Sequence, residues 1–193
     1  YSRLLSGQDR ALRQVWTLAP NYRITELQSA VALAQLEKVD RITSRRHELG
    51  DAFARAVADL PGLTPHKVAP DAYCSYWFSG FTVEPSFPAN PKTVADALTA
   101  EGLKSAHLGY FSLLSQKRVT GRNAYRGSHF PFEGGPHNIR YTDYDIDSFP
   151  NSKAMAERWV FLAINEFFTD QDLADMIAAV RKVHAWYTTH PEK

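Results

Sequence analysis

The sequence predicts an α+β fold: a small sheet with helices on one face, joined to a long helix. Three observations predict it. Apolar residues recur at helical spacing between Leu27 and Leu60. "YCSYWFSGFTVE", residues 73–84, alternates as a strand does. Beyond it, capped helical stretches take turns with short apolar runs, the order of helices laid against one sheet.

Thr25 fits an N-cap, with Gln28 as its capping-box partner. Leu27, Val31 and Ala34 follow at helical spacing; Leu49, Phe53, Val57 and Leu60 recur later, and Pro61-Gly62 stops the run. The pattern reads as one helix of about 35 residues, bent near Arg45-Arg46, against a mean of ~11–12. A helix that long on one apolar stripe spans two domains or packs against a second subunit. In 73–84, Tyr73, Ser75, Trp77, Ser79, Phe81 and Val83 share one face, and Cys74, Tyr76, Phe78, Gly80 and Thr82 the other. Aromatics on both faces imply a central strand, partly covered on each side. In "NPKTVADALTAEG", Asn90 caps a helix, Pro91 takes its first position and Gly102 ends it. "LKSAHLGY" reads as the next strand. Residues 115–150 have little period, and loops of that length are functional or disordered. A short helix near 152–159, a strand around "VFLAIN" and a helix from Asp170 to about Tyr187 complete the chain, the last with Leu173, Ile177, Val180 and His184 on one side. Strands separated by helices are compatible with a partly parallel sheet, and the strand order is not readable.

Composition excludes several classes. The 193 residues are 44% hydrophobic and 22% charged with a net charge of +1, as in a soluble globular protein with no nucleic-acid or membrane surface. No apolar run approaches the roughly 20 residues of a membrane span. One cysteine, Cys74, forms no internal disulfide and fits a reducing, cytoplasmic setting; alternating with aromatics, it reads as a core thiol. "YSRLLSGQDR" is no signal peptide, and a start at Tyr1 without methionine suggests a piece of a longer protein. His47, His66, His107, His129, His137, His184 and His190 are scattered, without the spacing of a zinc helix, so no metal site is expected. "EGGPHN" lacks the strand and helix that flank a phosphate loop. "EKVDRITSRRHE" reads as a solvated helix face.

Asn21-Tyr22-Arg23 is less ordinary. It is either a turn with a surface arginine or an anion site, since an amide and a guanidinium beside a helix N-terminus suit a phosphate.

"NYRITELQSAVALAQLEKVDRITSRRHEL" resembles the segment that follows the active-site lysine in the DegT/DnrJ/StrS family of pyridoxal-phosphate (PLP) aminotransferases acting on keto-sugars and keto-cyclitols. Asn21, Tyr22, Arg23, Thr25, Glu26, Gln28, Ala30, Gln35 and Leu36 carry the pattern. "SYWF", "ALTAEGLKSAHLGYFSLL" and "FPNSKAMAERWVFLAINEFFTDQDLADMIAAVRKV" are similar to later blocks of the family. The resemblance implies the C-terminal small domain of a fold-type I PLP-dependent transferase. Residues 1–60 would be the interdomain and interface segment with its long helix, and 61–193 the small α+β domain. It further implies a cytoplasmic homodimer with active sites at the interface, PLP as cofactor, and glutamate or glutamine as amino donor to the keto-sugar or keto-cyclitol. Asn21 and Arg23 would hold the PLP phosphate of the neighbouring subunit; His107 and Tyr110 would approach the substrate. Where the family often has Gly ahead of the asparagine, this chain has Ala19-Pro20. Loop 115–150 is longer and more aromatic than in many nucleotide-sugar members and looks closer to the cyclitol and aminobenzoate branch. The Schiff-base lysine, the aspartate at the pyridine nitrogen and the ring-stacking aromatic would precede Tyr1, so no catalytic residue is expected in this chain. Two rivals remain: a non-catalytic module that dimerises through the long helix, and a PLP-dependent sugar dehydratase with histidine in place of that lysine.

Overall fold

The computed structural model describes residues 23–109 and 146–191. The chain divides into two compact units, Tyr1–Asp40 and Arg41–Lys193.

In the first unit, α1 runs over Glu26–Leu36, and Thr25 is its cap. The capping box forms: Gln28 N–H donates to Thr25 Oγ1 at 3.2 Å, and Thr25 N–H donates to Gln28 Oε1 at 3.0 Å. Two first-turn donors are thereby satisfied within the turn. No residue of α1 is buried; Leu27 and Val31 are 78% and 56% exposed.

The expected single long helix is two helices. α1 stops at Leu36, and α2 occupies Val39–Val57. The helix closes without a glycine or proline. Lys38 N–H bonds Gln35 O at 3.0 Å, three residues back, and that tightened turn ends the i→i−4 ladder. The bend expected at Arg45-Arg46 lies inside continuous helix. Neither residue breaks a helix, and both side chains are tied down, Arg45 to Asp170 at 2.7 Å and Arg46 to Glu166 at 2.9 Å.

The second unit is built on a four-stranded sheet in the order β1-β2-β4-β3. Its strands are β1 (Leu63–Pro65), β2 (Phe78–Val83), β3 (His107–Leu108) and β4 (Trp159–Ala163). Each neighbouring pair is antiparallel, which settles the pairing left open by the sequence. Pairing Phe81 with Val160 and Ser79 with Leu162 puts those four side chains on one face. There Phe81, Val83, Val160 and Leu162 join one buried cluster with Leu49, Phe53 and Val57 of α2, Val94, Ala95 and Leu98 of α3 (Pro91–Ala100), and Met176, Val180 and Val183 of α5 (Asp170–Thr189). Each fully buried Leu, Val or Phe stabilises the fold by roughly 1.5–3 kcal/mol. The stripe read from Leu49 to Leu60 is therefore this unit's core.

Local signals place the elements. Asn90 Oδ1 accepts from Thr93 N–H at 2.9 Å, Pro91 fills the first turn, and Gly102 takes φ +102° beyond the helix end. Thr169 and Asp172 cap α5 reciprocally. The helix expected near 152–159 is α4, Pro150–Arg158, which runs directly into β4. Two strands are shorter than expected. Leu103–Ala106 turns instead of extending, because Leu103 N–H bonds Leu98 O and Ala106 N–H bonds Leu103 O. β2 starts only at Phe78, because Tyr76 sits at φ +45°, outside the extended region. Among the described residues, no helix is long and apolar enough to cross a membrane.

Candidate functional site

The second face of the sheet carries the aromatic residues. Register puts Phe78, Gly80 and Thr82 of β2 beside Ala163, Phe161 and Trp159 of β4. Gly80 has to be glycine, since a Cβ there would lie 2.2 Å from Val160 O; this close approach lets the rings gather. Trp77 stacks on Phe78 at 5.0 Å, Phe78 meets Phe161 edge-on at 4.8 Å, and Trp159 lies 5.3 Å from Phe161. Aromatic pairs at such spacings gain beyond their buried area. Trp77 is 69% exposed, and Trp159 Nε1 is buried with no hydrogen-bond partner among the described residues.

His107 belongs to this face. It pairs with Phe161 across β3 and β4, and its exposed ring lies 5.5 Å from that of Phe161. Two contacts fix the strand's exit. Gly109 N–H donates to Trp159 O at 2.5 Å, and at φ +62° a Cβ on Gly109 would meet Ala156 O at 2.0 Å. Backbone thus holds His107 at the end of a ring row, where an imidazole can exchange hydrogen bonds with a polar ring stacked on the aromatics.

Arg23 lies in the other unit. It is exposed, two residues ahead of the Thr25 cap. The capping box uses the Gln28 amide, leaving the first-turn amides of Glu26 and Leu27 without helical partners. A guanidinium near those amides suits an anion, while the Glu26 carboxylate at the same turn offsets part of the positive potential. Asn21 and Tyr110 fall outside the described residues, as do most of residues 115–150. Arg23 and His107 belong to different units. The ring row of Trp77, Phe78, Trp159 and Phe161 was not singled out from sequence, although the alternation W-x-F at 159–161 marks one face of a strand.

Other charged groups have structural roles. Arg45 and Arg46 tie α2 to the approach to α5. A backbone hydrogen bond, helped by Arg46, holds the Glu166 carboxyl below the usual range. Lys92, Lys153 and Lys182 each pair with a carboxylate. Among the described residues, no group of three His, Cys, Asp or Glu side chains is arranged to hold a metal.

A family model, described as the DegT/DnrJ/EryC1/StrS aminotransferase family, matches residues 4–132. The chain belongs to this family. GDP-perosamine synthase of Escherichia coli O157:H7 is 37% identical over 82 residues, 40% of this chain and 22% of that protein. Among solved structures, the putative sugar aminotransferase Spr1654 of Streptococcus pneumoniae in its PMP form aligns with TM-score 0.70 at 16% identity, over 96% of this chain and 42% of that one. GDP-4-keto-6-deoxymannose-3-dehydratase, with a trapped PLP-glutamate geminal diamine, aligns with TM-score 0.59 at 16% identity, over 91% and 40%. These likenesses show the fold. The chain thus spans less than half the length of each of these proteins.

Proposed function

We propose that this chain is the C-terminal part of a fold-type I PLP-dependent aminotransferase that moves an amino group from glutamate or glutamine to a keto-sugar or keto-cyclitol. The family match over residues 4–132 carries the reading. The likeness to GDP-perosamine synthase favours a nucleotide-linked keto-sugar over the cyclitols suggested by the long loop. In this reading, residues 1–60 bridge domains and subunits of a homodimer, and residues 61–193 form the small domain.

PLP, when bound, supplies the electron sink for proton transfer at the carbon that receives nitrogen. This chain's part is binding and orientation. Arg23 and the first-turn amides of α1 would suit a doubly charged phosphate, and Asn21 would add an amide donor to the same group on the partner subunit. His107 and Tyr110 would hold the keto substrate, with the ring row beside His107 excluding water. The lysine that carries the cofactor is supplied from outside residues 1–193.

A dehydratase is the second reading, favoured by the GDP-4-keto-6-deoxymannose-3-dehydratase likeness; a non-catalytic dimerising module is the third. One experiment separates them. The full-length protein is given PLP, glutamate and GDP-4-keto-6-deoxymannose, and the product is weighed by mass spectrometry. A product that gains nitrogen supports the aminotransferase. One that loses a hydroxyl without gaining nitrogen makes it a dehydratase. Absence of PLP binding and turnover leaves the module.

A further inference from the structure

Residues 73–77 precede β2 and lie against α2. Tyr76 is 3% exposed, and among the described residues it is the one non-glycine with positive φ, +45°. Its ring covers Gly50 so closely that a Cβ at Gly50 would lie 2.3 Å from Tyr76 Cγ. Its hydroxyl donates to Asp51 Oδ1. One turn back on α2, the ring of His47 stacks on Tyr73 at 4.2 Å, its Nδ1 is 2.9 Å from Cys74 O, and its Nε2 is 3.5 Å from Asp51 Oδ2. Residues 47, 50 and 51 share a helix face, so one patch of α2 grips the whole segment.

Two local preferences are overridden here. A glycine sits within α2, where alanine is the better helix former, and an aromatic residue takes a conformation that side chains rarely adopt. The alternation of 73–84 also suits an unbroken strand, yet β2 starts at Phe78. A segment whose own preference opposes its packed conformation is held by its contacts and released when they break.

We propose that residues 73–77 form a strap latched to α2 by Tyr76 and His47, which opens while the core stays folded. Closed, it seats the exposed Trp77 flat against Phe78, at the end of the ring row that leads to His107. Open, Tyr76 relaxes to an extended conformation, the segment continues β2, and Trp77 leaves that stack.

Cys74 lies in the strap, half-buried, and is the chain's one cysteine, so its alkylation reports opening. In the full-length protein, N-ethylmaleimide labelling of Cys74 is followed by peptide mass spectrometry across low urea. Local opening exposes little surface, so the wild-type rate should stay nearly flat below the unfolding transition. Asp51→Asn and Gly50→Ala should each raise it about tenfold or more, with the global urea midpoint nearly kept. Gly50→Ala is informative because alanine strengthens α2 itself. A wild-type rate that climbs with urea in step with global unfolding overturns the strap. So does an unchanged rate in both variants.

Discussion

The hydroxyl of Tyr76 donates to the Asp51 carboxylate at 2.5 Å, across 25 positions of sequence. Burial first, then this bond and its negative charge, push the Tyr76 phenol well above the ordinary tyrosine value. A group whose folded value is raised contributes stability that is complete below its unfolded value. That contribution falls once pH passes the unfolded value near 10 and is gone above the folded one. Unfolding free energies of wild type and Tyr76→Phe, from urea titrations, should therefore differ by a constant amount up to about pH 9.5. The difference should then shrink by up to ~1.4 kcal/mol per pH unit. A constant difference to pH 11 would show that neither burial nor this bond raises the phenol.

The same residue shows where the sequence was legible. Helices α3 and α5 follow local signals: the Asn90 and Thr169 caps, Pro91 and Gly102. Strand β4 follows its apolar run. These signals act over three or four residues, so they can be read in order. Tyr76 departs because its partners, Gly50 and Asp51, lie on another element, and their contact outweighs strand propensity. The split of the long helix was hidden because 36–39 contains no breaker. The strand that holds His107 was legible in "LKSAHLGY"; the rings beside it gather only once β2 and β4 pair.

Gly109 should be far less replaceable than Gly102. Both have positive φ, but a Cβ on Gly102 meets nothing within 4 Å, whereas one on Gly109 meets Ala156 O at 2.0 Å. Gly102→Ala carries only the backbone cost, roughly 1–3 kcal/mol. Gly109→Ala adds displacement of the end of α4 and should lower the melting temperature further, moving His107 as well. Equal melts for the two variants would show that β3 tolerates the shift.

Acid should loosen this unit below the usual carboxylate range. Hydrogen bonds from Thr169 hold the Asp172 carboxyl low, and a hydrogen bond from Arg181 does the same for Asp59. Groups with lowered folded values contribute stability above their unfolded values, and that stability is lost as pH falls through the folded ones. The melting temperature should therefore hold from neutral pH down to about 5 and fall below about 4. Asp172→Asn should flatten part of that fall, because its cap no longer titrates. A slope identical to wild type would mean the Asp172 cap contributes nothing.

Leu27 and Val31 are exposed on α1. An exposed apolar stripe on an 11-residue helix has little intrinsic support, so α1 should be stabilised by a partner surface. Burial of each Leu or Val there is worth roughly 1.5–3 kcal/mol. The double variant Leu27→Asp, Val31→Asp should dissociate the full-length protein, as read by light scattering. An unchanged mass with a normal melt would show that the stripe is no interface.

Asn21 and Arg23 should bind the cofactor phosphate of the partner subunit. Arg23 stands two residues ahead of the α1 cap, and the first-turn amides of Glu26 and Leu27 have no partners within the helix. Loss of a hydrogen bond to a charged group costs about 1.5–3 kcal/mol, so Asn21→Ala in the full-length protein should weaken PLP retention roughly ten- to a hundredfold. Arg23→Lys should only partly restore what Arg23→Ala loses, because an ammonium cannot copy the guanidinium plane. The arrangement in trans has its own signature. A dimer that combines an Asn21→Ala subunit with one lacking the cofactor lysine has one site with both defects. Its other site keeps the lysine and receives an intact Asn21 from its neighbour. Mixing the two defective homodimers under exchange at limiting PLP should therefore recover part of the wild-type activity. If mixed dimers form and recover none, or if Asn21→Ala retains PLP as wild type does, the phosphate lies elsewhere.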